Sequence, residues 1–360
     1  MGPQFNHSLL LLARQYRQRS QKQVAAKARL TQGHYSRIEN GLLPDGPSSE
    51  NVEKIAAVLE FPASFFYLND GLSGLPLSVH PMTRRKASVG ERALKQLHAD
   101  LNLRLIHIRR LLEAVEVDPE LPLVKIDVDE AGGPAAVAQL IRQVWHLPPG
   151  PIDNLTEAAE RAGILVIWCD LVSGIDGVTM WVRDIPPCIF LNRNAPADRM
   201  RASLAHEIGH VVMHQIPTDE IEDEANAFAA ELLAPQSEMT REFIGRLTLE
   251  KLARMKAYWR VSMQFLLYRA HALGCITKNQ SQYLWKQISW HGWRTREPEE
   301  TEFAHEKPNL FPHVVKLHSE DLKYEIEDFV RLLHTNPNDL RYFYDLVTSD
   351  HSVHHLRIIK

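Results

Sequence analysis

Residues 202–214 read Ala-Ser-Leu-Ala-His-Glu-Ile-Gly-His-Val-Val-Met-His, so an HExxH string, His206, Glu207 and His210, lies inside an apolar helical run. The spacing itself suggests chemistry. Side chains four apart leave one helix face about 6 Å from each other, so both imidazoles can reach one Zn²⁺ at about 2 Å while Glu207 stands beside an activated water as general base. With 18 histidines in the chain, such a string arises by chance on the order of 0.05 times, so its surroundings must add weight.

Two imidazoles need a third protein ligand. His214 lies eight residues from His206, about 12 Å along a straight helix, and reads as a partly buried packing histidine. The next helix, Ile221 to Leu233, carries an apolar stripe of Ile221, Ala225, Phe228 and Leu232. At about 100° per residue the acid nearest that stripe is Glu224, whereas Glu222 and Asp223 project outward. The expected ligand set is His206, His210 and Glu224, with Glu231 the next acidic candidate. A capping or solvated role in the first helical turn is the plain alternative for Glu224. No His or Tyr spacing singles out a donor for an oxyanion.

A second constellation sits at the amino terminus. Residues 1–38 carry seven basic side chains (Arg14, Arg17, Arg19, Lys22, Lys27, Arg29 and Arg37) and no acidic one, although the chain as a whole has a net charge of -4. That local field suits nucleic acid. Residues 20–41 divide into a short helix capped by Ser20, a tight turn, and a second helix capped by Thr31 with Tyr35 and Ile38 facing inward, ended by Gly41. Gly33 costs roughly 1 kcal/mol of helix propensity inside that second helix. A basic helical docking module is the plainer reading of the same residues.

These elements need a scaffold, and the 360 residues supply one of about two to three domains. Apolar residues at 44% and charged residues at 24% give the ordinary globular balance. The apolar run from Leu9 to Ala13 is too short for a signal segment or a membrane span. Cys169, Cys188 and Cys275 form no CxxC pair, which suits a reducing compartment, so a cytoplasmic location without membrane association is expected. Asn69 to Gly74 reads as a flexible linker, and residues 91–116 as a connecting helix. Residues 135–275 read as an α+β domain with a helix from Ala135 to Trp145 and short strands at Gly163 to Cys169, Gly177 to Val182 and Cys188 to Leu191. The tail, 276–360, contains helix-like runs at Glu320 to Leu333 and Asp339 to Val347 and no chemistry-bearing spacing.

The amino-terminal pattern Ser20-Gln21, Val24-Ala25, Thr31-Gln32, Ser36, Ile38-Glu39 and Gly41 resembles the phage-repressor and xenobiotic-response-element (XRE) type of helix-turn-helix. The resemblance implies that the helix from Thr31 enters a major groove of double-stranded DNA. Gln32, His34, Ser36 and Arg37 would face base edges, and Gln21 would lie at phosphate. The strings His206-Glu207-Ile208-Gly209-His210 and Glu224-Ala225-Asn226-Ala227-Phe228-Ala229-Ala230-Glu231-Leu232-Leu233-Ala234-Pro235 resemble the ImmA/IrrE metallopeptidases. So do Ile175-Asp176-Gly177, Ile189 to Asn192, and Tyr258 to Ser262 with Arg269. Ala234 departs from the methionine common there.

Together these imply a multidomain chain: an all-α helix-turn-helix domain (1–70), a linker and connecting helix (71–134), an α+β zincin-like metallopeptidase domain (135–275) and a mainly helical C-terminal region (276–360). The implied activity is zinc-dependent cleavage of a transcriptional repressor, with Glu207 as base, derepressing stress, phage or mobile-element genes. A homodimer is compatible with it. The rival readings are a non-proteolytic regulator whose peptidase-like domain senses metal or ligand, and a toxin-antitoxin or phage-immunity component.

Overall fold

The computed structural model describes residues 4–74, 90–214, 216, 218–344 and the backbone of 356–358. Helices start where the sequence supplies caps: α1 (His7–Tyr16) follows Asn6, α2 (Gln21–Lys27) follows Ser20, α3 (Gln32–Glu39) follows Thr31, and α4 (Ser49–Leu59) follows Ser48. Ser20 and Gln23 form a reciprocal capping box. Leu9, Leu12, Val24, Ala25, Tyr35 and Ile38 are fully buried between these helices. Glu39 ties them together from within: its carboxylate accepts from Arg14 Nε at 2.6 Å, Gln21 Nε2 at 2.7 Å and Tyr35 Oη at 3.0 Å. Burial alone would raise this carboxyl, but the hydrogen bonds from Arg14 and Gln21, with the Arg14 charge, hold it below the usual carboxylate range.

The stretch from Asn69 to Gly74 is not a flexible linker. Asp70 accepts from Arg109 at 2.9 Å and Arg110 at 2.7 Å, both on α5 (Glu91–Leu112), and Ser73 N donates to Asn102 Oδ1 at 2.8 Å. Acid at this position, with two arginines one turn from the end of α5, pins the strand of chain to the helix. The connecting helix α5 is buried on more than the one face that its leucine spacing suggests. Leu101 to Ile108 are buried on every side, so the helix passes through the core. It is followed by β1 (Val115–Val117).

After α6 (Val128–Ala131), α7 (Pro134–Val144) and α8 (Leu155–Arg161) comes a three-stranded sheet of β2 (Leu165–Cys169), β3 (Gly177–Met180) and β4 (Cys188–Asn192) in the order β2-β4-β3. β2 runs parallel to β4 and β3 antiparallel to it. Strand alternation sends Leu165, Ile167, Cys169, Val178, Met180, Cys188 and Phe190 to one face and Val166, Ile189 and Leu191 to the other. The first face shares a core with the amino-terminal helices and α5. The second packs under α9 (Ala197–Met213). Helices α10 (Ile221–Leu233), α11 (Gln236–Glu242), α12 (Leu249–Trp259), α13 (Met263–Ala272) and α14 (Lys278–Trp290) complete this second core.

The tail folds back onto the amino-terminal helices. It forms α15 (Leu310–Glu320), α16 (Ile326–Leu333) and α17 (Pro337–Phe343), and β5 (Leu356–Ile358) pairs antiparallel with β1. The expected run Glu320 to Leu333 is thus split by a turn, and residues 345–347 of the other expected run lie outside the described residues. Asp339 receives Arg17 Nη1 at 2.9 Å, Asn336 Nδ2 donates to Glu60 O at 2.8 Å, and Phe343 stacks on Tyr16 at 5.9 Å between ring centres. No described helix is long and apolar enough to cross a membrane.

Candidate metal centre and nucleic-acid interface

The metal-binding geometry begins with Gly209. A Cβ there would lie 3.1 Å from Phe228 Cδ1 and 3.3 Å from the Ala225 backbone, so the missing side chain lets α9 lie close against α10. At that separation His206 Nε2 and His210 Nε2 stand 3.0 Å apart, and the Glu222 oxygens lie 3.4 Å from His210 Nε2 and 3.7 Å from His206 Nε2. The three donors lie within 4.8 Å of one another. A tetrahedral ion with bonds of about 2 Å has edges of about 3.3 Å, which this triangle brackets.

The carboxylate in this triangle belongs to Glu222, whereas the sequence pattern pointed to Glu224. Glu224 Oε2 instead meets His214 Nε2 at 2.9 Å. The single-stripe argument misses Glu222 because α10 is wedged between α7 and α9, so its buried arc is wide and takes in Glu222, Ala229 and Glu231 along with the apolar stripe. Glu222 and Asn226, four apart, both reach the histidines of α9. Ala229, a small residue off that stripe, was the available sign that a second face is packed. Glu231, the other acidic candidate, is turned away from this site: it pairs with Arg269 and accepts from Gln139 Nε2 at 3.0 Å.

Burial, then the neighbouring His210, pushes His206 down to about 4, and burial followed by His214 pushes His210 down to about 3. Both imidazoles are therefore neutral at neutral pH, the form that offers a lone pair. His206 Nδ1 lies 3.0 Å from Asn226 Oδ1 and His210 Nδ1 lies 2.9 Å from His214 Nδ1. With those protons placed on Nδ1, each Nε2 is left free to bind. The donor set fits a divalent cation of the zinc type.

Glu207 is 1% exposed, and its Oε2 accepts from Thr179 Oγ1 at 2.7 Å. A Cβ at Gly177 would approach Glu207 Cγ to 2.9 Å. β3 thus both holds this carboxylate and makes room for it. Thr179 could not be singled out from sequence, because a threonine in a short strand carries no spacing signal. Gly177 entered as the first residue of an expected strand and through the family resemblance, neither of which pointed to its contact with Glu207.

In the amino-terminal helices, Thr31, Gln32 and Arg37 are exposed on α3, His34 and Ser36 half-buried. Thr31 spends its oxygen on the His34 amide as cap, His34 Nε2 leans on Asn51 Nδ2 at 3.2 Å, and Ser36 Oγ meets Asn40 Nδ2 at 3.2 Å. Gln21 is half-buried and gives its amide to Glu39 Oε2 at 2.7 Å. Gln32 and Arg37 are the side chains left free-standing on the outer face.

Residues 159–271 match the family model of the IrrE N-terminal-like domain, Peptidase_M78, and residues 12–66 match that of a helix-turn-helix. No curated protein matches the chain. One chain thus joins a segment similar to an XRE-type helix-turn-helix to a segment similar to the IrrE N-terminal-like metallopeptidase family.

Proposed function

We propose that the protein is a zinc-dependent endopeptidase that cleaves a transcriptional repressor, with Zn²⁺ held by His206, His210 and Glu222. The triangle of two neutral imidazoles and one carboxylate, with Glu207 next to His206 in the chain, carries the reading. Zn²⁺ in that position supplies Lewis acidity and brings a water's pKa toward neutrality. Glu207 takes the proton as the water attacks the peptide carbonyl and returns it to the departing amine. Thr179 keeps the Glu207 carboxylate in one orientation during both transfers.

The helix-turn-helix brings the chain to duplex DNA through the outer face of α3, with Gln32 and Arg37 as the base-reading side chains. The test is incubation of the purified chain, with and without Zn²⁺, against repressors encoded near its gene, followed by mass spectrometry. New fragments that require zinc and vanish in Glu207→Gln, while that variant still binds metal, are expected. Intact repressors throughout would favour the metal- or ligand-sensing regulator.

A further inference from the structure

Beyond the ligands themselves, the structure connects one of them to a carboxylate through an intervening histidine. His210 Nδ1 stands 2.9 Å from His214 Nδ1, and His214 Nε2 stands 2.9 Å from Glu224 Oε2. His210 is 2% exposed and His214 6%. His214 is the residue at which α9 ends: its backbone is extended at φ -103 and ψ 124, while its amide still bonds His210 O at 3.2 Å. That turn at the helix end sets its ring beneath His210 and within reach of α10.

We propose that His214 and Glu224 are positioning residues for the metal centre, acting through His210. The inference rests on the zinc reading above. If His210 gives its Nε2 lone pair to Zn²⁺, its only proton is on Nδ1. The short Nδ1 to Nδ1 contact accommodates one proton, so His214 must accept there and carry its own proton on Nε2. That proton is donated to Glu224, whose carboxylate can only accept. Each tautomer in the chain is thereby set by the next group, and the negative end at Glu224 makes His210 a better donor to the metal. Asn226 serves His206 by a single step. Glu224 thus supports the site from outside it.

The experiment is a chelator-competition titration of Zn²⁺ on the full-length chain, together with the visible spectrum of the Co²⁺-loaded chain and the melting temperature of the metal-free one. His214→Leu fills the space with no acceptor and is expected to weaken zinc about 10- to 100-fold. Its cobalt bands should shift while the metal-free melting temperature holds. His214→Asn places an amide oxygen near the old Nδ1 and should recover most of the affinity. Glu224→Gln keeps an acceptor without the charge and should lose less than His214→Leu.

Zinc affinity in His214→Leu equal to wild type, in a series where His206→Ala has lost the metal, overturns the relay and leaves the metal centre standing. The relay is likewise overturned if His214→Asn is no better than His214→Leu, since packing alone would then explain the loss. A wild-type chain that takes up no Zn²⁺ overturns both readings.

Discussion

Asp339→Ala tests whether the tail locks the amino-terminal helices to the rest of the protein. Asp339 is met by Arg17 Nη1 at 2.9 Å, by Asn336 Nδ2 at 2.7 Å and by Tyr16 Oη at 3.4 Å. The side chains of Arg17 and Asp339 are 15% and 8% exposed, so removing the acid strands a largely buried guanidinium. Breaking such a pair from one side costs about 3–5 kcal/mol. Arg17 keeps its bond to Leu59 O at 2.8 Å and its place over the Tyr16 and Phe61 rings, 5.0 Å from each centre. Those contacts put the expected loss at the lower end, about 3 kcal/mol.

At about 2–4 °C per kcal/mol, calorimetry should show the melting temperature fall by about 6–12 °C. Adding Arg17→Met removes the stranded charge, so the double variant should melt above Asp339→Ala alone. A double-mutant cycle reads the coupling directly. A melting temperature within about 2 °C of wild type for Asp339→Ala, or strictly additive single effects, would refute the idea that this pair locks the tail onto α1.

Two further outcomes follow from the geometry. Gly177→Ala places a carbon 2.9 Å from Glu207 Cγ, so peptide cleavage should drop at least tenfold, by about 1.4 kcal/mol of barrier, with zinc stoichiometry unchanged; unchanged turnover would show that Glu207 has room to move. Glu39→Gln tests the buried network of the amino-terminal helices. The folded carboxyl titrates below its unfolded value of 4.5, so its contribution is full above that pH and is lost as pH falls through the folded value. The melting-temperature gap between wild type and Glu39→Gln should therefore be widest near neutrality and close under acid, and a gap independent of pH would contradict the assignment.

What could be read in the sequence was local periodicity. Ser20, Thr31 and their partners announce helix starts because a cap is a contact over three residues, and HExxH announces a metal face because it spans one helical turn. Glu222 could not be found that way. Its role depends on which neighbours cover α10, and two helices cover it from different sides. The same limit hid Asp70 and Asp339: each is an ordinary surface acid by composition, and only the fold shows it meeting arginines 39 and 322 residues away in sequence. His214 reads as a packing histidine because distance excludes it as a ligand of the metal shared by His206 and His210. Its contact with His210 is the ordinary four-residue spacing on one helix face, but the partner on its other nitrogen, Glu224, comes from another helix.

The tail without chemical motifs has a structural task that composition conceals. Leu310, Phe311, Val314, Phe329, Leu333, Leu340 and Phe343 join the core that also holds Leu9, Phe65, α5 and one face of the sheet. The opposite face of that sheet packs in the core beneath α9, which carries the candidate ligands His206 and His210. A three-stranded sheet thus lies between the amino-terminal helices and the helix that carries His206 and His210, with Phe190 on one face and Ile189 and Leu191 on the other, adjacent along one strand. A loose tether would let the two modules search independently, governed by effective concentration. With Asp70 paired to Arg109 and Arg110 of α5 and Asp339 to Arg17 of α1, the amino-terminal helices are instead joined to the shared core by ion pairs as well as by packing.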